Sequence, residues 1–211
     1  GCNSLIATSL GSNNRLAASI YSYNALAYAF ILSIFITFIG IYFSSDLLSL
    51  MGSSKESIGL AKEYIDVIFL GTIIFLTMTS LNSVLNAQGD TRTYRNVLII
   101  GLLFNLILNP IFIFGFIFIP AFGIAGLAIS TILIQFIGCI YLYIKVNKTE
   151  LKIIPKISNF YIKKNFLINI FNQSMPITIA LFFSFIRKFS LSAFVIYRIA
   201  LSLIILGIVY L

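Results

Sequence analysis

Long uncharged apolar runs dominate the chain and alternate with short polar segments. The longest extends over the 49 residues from Asn96 to Ile144, interrupted only by a Gly/Pro-containing turn near Gly115–Gly123. A bilayer core takes about 20 apolar residues per helix, so this run predicts two membrane spans joined by a short loop. Helices that are apolar on every side have no face for water. The pattern therefore predicts an all-α, polytopic integral membrane helix bundle.

The other runs complete an alternating series of helices. Residues 1–10 are predicted to end a first helix. The spans predicted after it are 16–44, 62–88, 94–116, 121–146 and 165–186. Since the chain begins in mid-pattern and finishes in an apolar run, we expect it to be a piece of a longer protein.

The positive charges fall in alternate loops. Of the chain, 60% is hydrophobic, 9% is charged, and the formal net charge is +8. The loops at Arg15, Asp90–Arg95 and Lys145–Lys164 carry nine Lys and Arg residues, whereas the intervening loops carry two. The positive-inside rule places the basic loops in the cytoplasm and predicts a multi-pass protein of the plasma, or bacterial inner, membrane. A nucleic-acid patch is the rival interpretation of the basic loop, but no aromatic interleaving accompanies it, so no nucleic-acid partner is expected.

The residue inventory excludes several kinds of chemistry. The chain has no histidine and only two cysteines, Cys2 and Cys139, both in apolar segments where a small packing role is expected. Zinc, haem and Cys/His catalysis therefore lack their usual groups. The predicted spans also hold no acid pair near their middle. Glu63 and Asp66 share a face at the outer end of the 62–88 span, where a boundary role is favoured over an ion-entry vestibule. We predict neither an enzyme nor a resident metal or cofactor.

The predicted 94–116 helix carries two amides beside a proline. Asn105 and Asn109 are four residues apart and so share a helix face. Pro110 follows, and because proline has no N–H, the carbonyl of Leu106 loses its helical partner. A bend and a free carbonyl are thus expected beside both amides.

The neighbouring 121–146 helix offers matching polar groups. Ser130 and Thr131 lie one turn before Gln135. Amides and hydroxyls in a membrane bundle can simply hold helices together by hydrogen bonds. They are also hard oxygen ligands suited to Na⁺ or to a proton relay, and transporters place such sites at kinked helices near mid-membrane. Both interpretations stay open at this point.

Four local patterns resemble the multidrug and toxic compound extrusion (MATE) family of transporters. They correspond to the end of its second helix and the following loop, the loop after its fourth helix, its fifth helix, and the start of its sixth. In this chain the patterns are Asn3–Arg15, Leu85–Arg92, Asn105–Gly115 and Gly123–Thr131. The match rests on their order and spacing across about residues 1–146.

The resemblance implies a twelve-helix exporter built from two six-helix lobes that rock about a central cavity. Residues 1–146 would form the end of helix 2 and helices 3–6 of the first lobe, 147–164 a cytoplasmic basic connector, and 165–211 the start of the second lobe. It further implies a monomeric antiporter that exports amphipathic or cationic organic compounds in exchange for Na⁺ or H⁺. The expected partners are the organic substrate, the coupling cation and the lipid bilayer.

Site residues follow from the resemblance only where the chain matches. One branch of the family uses an acid on its first helix, an Asn and an Asp on its fifth, and a Thr on its sixth. Asn105 matches that Asn and Thr131 matches that Thr, whereas position 109 is Asn in place of Asp. We predict a cation- or substrate-binding site of Asn105, Asn109, Thr131 and Gln135, with Pro110 as a hinge.

Two other membrane functions are compatible with the same spans. A lipid-linked oligosaccharide flippase of the same superfamily would line its cavity with cations for pyrophosphate, and the mid-span segments here have none. A non-transporting membrane subunit would use all its polar residues to join helices.

Overall fold

The computed structural model describes residues 1–50, 55–116, 119–151 and 164–188. Those residues form seven α-helices in chain order and no β-strand. The helices are α1 (Cys2–Gly11), α2 (Arg15–Leu50), α3 (Lys55–Leu70), α4 (Thr72–Ala87), α5 (Arg92–Phe114), α6 (Ile124–Asn147) and α7 (Lys164–Lys188). The prediction of an all-α membrane bundle is confirmed.

Three helices of the described part are each long and apolar enough to cross a membrane: α2, α5 and α6. The pair α3 and α4 meets the same criterion when taken together, with a bend of 46° between them. Helices α5 and α6 lie within two or three residues of their predicted bounds. Helix α2 continues to Leu50, beyond its predicted end at residue 44, because Asp46 is exposed and therefore does not stop the helix.

The prediction of one continuous helix over residues 62–88 is wrong. The structure begins this helix at Lys55 and breaks it at Gly71. A break leaves backbone carbonyls without helical partners, which is costly inside a membrane. The hydroxyl of Thr37 on α2 compensates by donating a hydrogen bond to the carbonyl of Phe69 at 2.7 Å. Contacts with a neighbouring helix, absent from any local pattern, thus stabilise the bend.

Helix α4 lies at the centre of the bundle, where it packs against α1, α2 and α6, while α5 packs against α6. The hydroxyl of Ser80 on α4 donates to the carbonyl of Ala25 on α2 at 3.1 Å. The buried core consists of residues from α1, α2, α4 and α6, together with Leu151, which lies four residues after the end of α6. Its members are Ile6, Ala18, Met78, Leu81, Val84, Leu85, Leu142, Val146 and Leu151.

The chain divides into two compact units, one formed by Cys2–Ile170 and the other by Phe171–Leu211 with Gly1. The sites described below lie in the first unit. Helix α7 covers the predicted 165–186 span and continues through Pro176. Residues 152–163 of the predicted connector, and 189–211 of the predicted second lobe, lie outside the described residues. The division at 146 and 164 stays a prediction.

Asp90 organises the loop that leads into α5. Its Oδ1 atom accepts hydrogen bonds from the backbone N–H groups of Thr93 (3.0 Å) and Arg92 (3.2 Å). Its Oδ2 atom accepts a hydrogen bond from the Thr93 hydroxyl, with 2.5 Å between the two oxygens. The Thr93 hydroxyl, followed by the backbone donors, holds the pKa of this carboxyl below its ordinary value of 3.8. The carboxylate therefore satisfies donors that the start of α5 would leave unpaired.

Replacing Asp90 with alanine should lower the free energy of unfolding by about 0.5–2 kcal/mol, the usual effect of losing a capping side chain. The part of this stabilisation that depends on the charge of Asp90 is present above pH 3.8, because the pKa of Asp90 is lower in the folded protein. That part is lost as the pH falls through the folded pKa. The measurement is thermal unfolding in detergent across pH 3–7. Asp46→Ala, which removes an exposed acid of α2, should change the midpoint less. An Asp90→Ala midpoint equal to wild type at pH 7 would contradict the capping role.

Candidate functional site

The end of α5 and the start of α6 are joined by a short, tightly bonded connection. The carbonyl of Phe112 accepts the N–H of Phe122 at 3.0 Å, and that of Ile113 accepts the N–H of Gly123 at 3.2 Å. These bonds provide partners for carbonyls that the end of α5 would otherwise leave free. Gly115 and Gly123 have φ values of +79° and +59°, which glycine adopts at no steric cost. The end of α5 is therefore fixed against the start of α6.

Gly126 brings the two helices into backbone contact. A Cβ at this position would lie 2.4 Å from the carbonyl oxygen of Phe112. One turn further along α6, the Ser130 hydroxyl donates to Oδ1 of Asn109 at 2.6 Å. Ser130 is fully buried, and its hydroxyl also lies 3.0 Å from the carbonyl of Leu127. Asn109 thus has a cross-helix partner, and that partner is Ser130.

Asn105 lies one turn before Asn109 and has a different environment. Its Oδ1 atom is buried and has no hydrogen-bond partner among the described residues. It lines a cavity of about 200 Å³ between α5 and α6, together with Gln135. Gly101, one turn earlier on α5, contributes to the same wall and faces Ile134. Asn105 and Gln135 are therefore brought together at a polar cavity between α5 and α6.

Thr131 and Pro110 complete the predicted set. The Thr131 hydroxyl donates to the carbonyl of Leu127 in its own helix at 2.8 Å. Helix α5 continues through Pro110, which is exposed. Of the predicted residues, the structure thus brings Asn105 and Gln135 together at the cavity. It does not bring Asn109 or Thr131 to that cavity, since Asn109 bonds to Ser130 and Thr131 bonds to its own helix. Whether these residues bind a ligand stays a prediction.

The chemistry available at the cavity is neutral. The cavity wall has amide oxygens and N–H groups but no carboxylate. Such groups can bind a polar part of an organic molecule by hydrogen bonds, whereas a cation bound by neutral oxygens alone lacks the charge that gives strong binding. Within the described ranges, no group of three or more His, Cys, Asp or Glu side chains could hold a metal ion.

The hydroxyl groups of α4 differ from the cavity amides, because they are hydrogen-bonded within their own helix. The hydroxyls of Thr79 and Ser83 donate to carbonyls one turn earlier in their own helix. Asn82 resembles Asn105, since its Oδ1 atom is buried without a partner in the described part of the chain. The sequence pattern shows both amides on apolar helices, but it could not show which of them lies at a cavity.

Together these features define an integral membrane helix bundle with a polar cavity between two of its spans. The chain belongs to the MatE family, whose model matches residues 1–111. The resemblance to MATE transporters noted in the sequence is thereby confirmed.

Several curated proteins are similar to this chain. It is 32% identical over 143 residues to a probable multidrug resistance protein NorM of Thermotoga maritima, covering 65% of this chain and 30% of that protein. It is 32% identical over 123 residues to an FAD transporter of Shewanella oneidensis, covering 58% and 27% respectively. The chain thus spans less than a third of the length of these relatives.

Solved structures show the same fold. The inward-facing conformation of a multidrug resistance MATE family transporter of the MOP superfamily aligns with a TM-score of 0.72 and 24% identity. That alignment covers 83% of this chain and 39% of the other. A structure of MATE in complex with MaD3S aligns with a TM-score of 0.66 at 25% identity, covering 79% and 37%.

Proposed function

We propose that this chain contributes the first lobe of a secondary active antiporter, which exports amphipathic or cationic organic compounds in exchange for Na⁺ or H⁺. Membership of the MatE family supports this, together with relatives that are probable multidrug resistance proteins. The protein would be a multi-pass monomer of the plasma, or bacterial inner, membrane. Alternating access would carry the compound from the cytoplasm to the outer side.

The observation that carries the proposal is the unpaired amide oxygen of Asn105 at the cavity. Asn105 is the fourteenth residue of the 23-residue α5, and Gln135 the twelfth of the 24-residue α6, so both lie near the middle of a membrane span. A polar atom buried there without a partner costs free energy. Binding a polar ligand group would recover that cost, which favours a binding role over a purely structural one.

A change of the bend at Pro110 would widen or narrow the cavity between α5 and α6. The residues after Pro110 are fixed to the two residues that precede α6, since Phe122 and Gly123 donate hydrogen bonds to the carbonyls of Phe112 and Ile113. The part of α5 before Pro110 carries Asn105 and lacks such backbone bonds to α6. Proline kinks are common bending points in helices. Bending here would move Asn105 relative to Gln135 and so couple ligand binding to the outward–inward transition.

Ion coupling would need a charged group from another part of the protein. The cavity has no carboxylate. Position 109 is an amide whose Oδ1 atom already accepts a hydrogen bond from the Ser130 hydroxyl. The acid that binds Na⁺ or H⁺ would therefore lie outside this cavity. One relative is an FAD transporter, so an anionic substrate belongs in any test of substrate class.

Substrate efflux by the complete gene product is the direct test of this proposal. Purified protein in vesicles should export a fluorescent organic cation when either a Na⁺ or a pH gradient is imposed, and the effective gradient identifies the coupling ion. An ionophore that collapses that gradient should abolish efflux. Transport of FAD alone would change the substrate class. No flux of either compound in folded protein would reject the exporter and favour a flippase or a non-transporting subunit.

A further inference from the structure

The cavity between α5 and α6 that contains Asn105 is small. Its volume is about 200 Å³, whereas pockets that enclose most of a drug-sized molecule have about 300–1,000 Å³. It therefore takes one polar group of an organic compound and not the whole compound. Leu98 and Leu102 line its α5 side and are exposed, so the rest of the compound would lie on the apolar surface beside the cavity.

Asn105 presents N–H groups to this cavity and not its oxygen. The Oδ1 atom of Asn105 is fully buried and has no partner in the part of the chain that the structure describes. The Nδ2 atom is not buried, so it is the polar side-chain atom through which Asn105 lines the cavity. An amide nitrogen carries two N–H donors and no acceptor. A ligand reaches Oδ1 only if α5 moves away from α6.

The opposite orientation of the Asn105 amide would be less favourable. It would bury Nδ2 in the place of Oδ1 and so leave two N–H donors without partners instead of one oxygen. Among backbone groups, buried N–H donors without a partner are rarer than carbonyl oxygens with too few partners. A side-chain amide contains the same two kinds of group. This comparison also favours Nδ2 as the atom at the cavity.

Asn109, one turn later on the same face of α5, is oriented in a similar way. Its Oδ1 atom accepts the Ser130 hydroxyl at 2.6 Å. That distance is typical of O–H···O hydrogen bonds, since N–H···O bonds are usually about 2.9–3.0 Å long. The short distance therefore identifies the bonded atom of Asn109 as its oxygen, which leaves Nδ2 for other partners. In both amides of α5 the oxygen is buried or bonded, and the N–H groups are left.

This arrangement discriminates between the polar groups of a substrate. Gln135 can turn either polar atom of its amide into the cavity, so Asn105 decides which group fits. An ammonium group only donates hydrogen bonds, and at Asn105 it would meet further donors. A carbonyl or carboxylate oxygen accepts hydrogen bonds and would pair with Nδ2 of Asn105. A donor that loses water and gains no acceptor costs free energy, which favours the oxygen.

We propose that the Asn105 cavity binds a hydrogen-bond acceptor of the substrate, a carbonyl or carboxylate oxygen, and not its ammonium group. The inference rests on the proposed export function, because it narrows the substrate class at the site that this function uses. Compounds that present such an oxygen should bind more tightly than close analogues that lack it. A cationic compound is still a substrate when it also carries a carbonyl group.

Binding of matched dyes to the purified complete protein in lipid nanodiscs tests the inference. Tetramethylrhodamine methyl ester and tetramethylrosamine are cations with the same ring system, and only the first carries an ester. Their Kd values are measured by fluorescence anisotropy. Wild type should bind the ester about fivefold more tightly, as expected for one neutral hydrogen bond. The free acid of the same dye distinguishes the two oxygens, since tighter binding than the ester identifies a carboxylate and weaker binding a carbonyl.

Variants at position 105 assign the preference to the amide. Asn105→Ala should abolish the preference for the ester, and Asn105→Leu should do the same with a smaller change of volume. Asn105→Gln keeps the N–H donors and should keep part of the preference. Leu106→Ala, at an exposed neighbouring position of α5, is the control and should keep all of it. The two Kd values come from one preparation, so a change of yield or stability does not alter their ratio.

Ethidium, a cation with N–H groups and no carbonyl, is the reverse probe. Its Kd should be the same in Asn105→Ala as in wild type. Weaker ethidium binding in Asn105→Ala, with unchanged binding of the ester, would overturn the inference and assign a donor group to the cavity.

Three further results would reject the acceptor site. They are the absence of binding of both dyes to wild type, equal Kd values for the two dyes in wild type, and a preference that survives in Asn105→Ala. A failure of the export function gives a different result. The ester preference would then be present and depend on Asn105, while neither a Na⁺ nor a pH gradient drives efflux from vesicles.

Discussion

Replacing Gly126 with alanine should lower the free energy of unfolding by about 1–3 kcal/mol, the range for forcing an added methyl into a packed position. The new Cβ would lie 2.4 Å from the carbonyl oxygen of Phe112 and 2.6 Å from its carbonyl carbon. These are backbone atoms, so no side-chain rotation can make room. The same carbonyl is also held by the N–H of Phe122. Thermal unfolding in detergent and the yield of monodisperse protein measure the loss.

Gly59→Ala is the matched control for this substitution. Gly59 also lies within a helix, but a Cβ there would meet no atom within 4 Å. Alanine is favoured over glycine inside a helix, so this variant should be as stable as wild type or more stable by about 0.4–1 kcal/mol. If Gly126→Ala melts at the wild-type temperature, the close backbone contact between α5 and α6 is absent from the protein.

The close contact at Gly126 also determines the neighbouring polar pair. Ser130 lies one turn after Gly126 on the same face of α6, and Asn109 lies three residues before Phe112 on α5. A methyl at position 126 would push the helices apart and lengthen the 2.6 Å hydrogen bond between Ser130 and Asn109. Gly126, which allows the close packing of the two helices, therefore also determines the hydrogen-bond geometry of Asn109, the amide next to Pro110.

The sequence was sufficient to predict the spans of α2, α5 and α6, because length and hydropathy determine them. Helices α5 and α6 were predicted closely, since both are bounded by polar or Gly/Pro-containing turns. The break at Gly71 could not be predicted, because the apolar run continues through it. What stabilises the break is the Thr37 hydroxyl bonded to the Phe69 carbonyl, from a helix distant in the chain. Such a contact exists only after the helices have packed.

The candidate site was predictable only within each helix. The four-residue spacing of Asn105 and Asn109 gives their shared face directly. Which α6 residue meets Asn109 depends on the rotation of α6 about its own axis, because neighbouring helical positions differ by about 100°. Ser130 and Thr131 are equally polar in sequence, yet only Ser130 bonds to Asn109, while Thr131 bonds to its own helix. Packing at Gly126 fixes that rotation.

Alanine variants of the two amides of α5, Asn105 and Asn109, should distinguish a residue that binds substrate from one that only joins helices. Asn105→Ala should reduce substrate efflux per folded protein by about tenfold or more, equivalent to losing about 1.4 kcal/mol of ligand interaction. Its stability should be unchanged or higher, because Oδ1 of Asn105 has no hydrogen-bond partner within the described residues. The measurements are gradient-driven efflux in vesicles and the thermal midpoint of the same preparations.

Asn109→Ala should behave differently, because it removes a hydrogen bond. The buried Ser130 hydroxyl would lose its 2.6 Å partner and keep only the Leu127 carbonyl. Hydrogen bonds between membrane helices contribute about 0.6–1.7 kcal/mol, so the midpoint of this variant should fall. Leu106→Ala, an exposed neighbour on α5, is the control and should change neither efflux nor midpoint. If Asn105→Ala loses stability and efflux in the same proportion as Asn109→Ala, both amides only join helices. The substrate would then bind elsewhere in the protein.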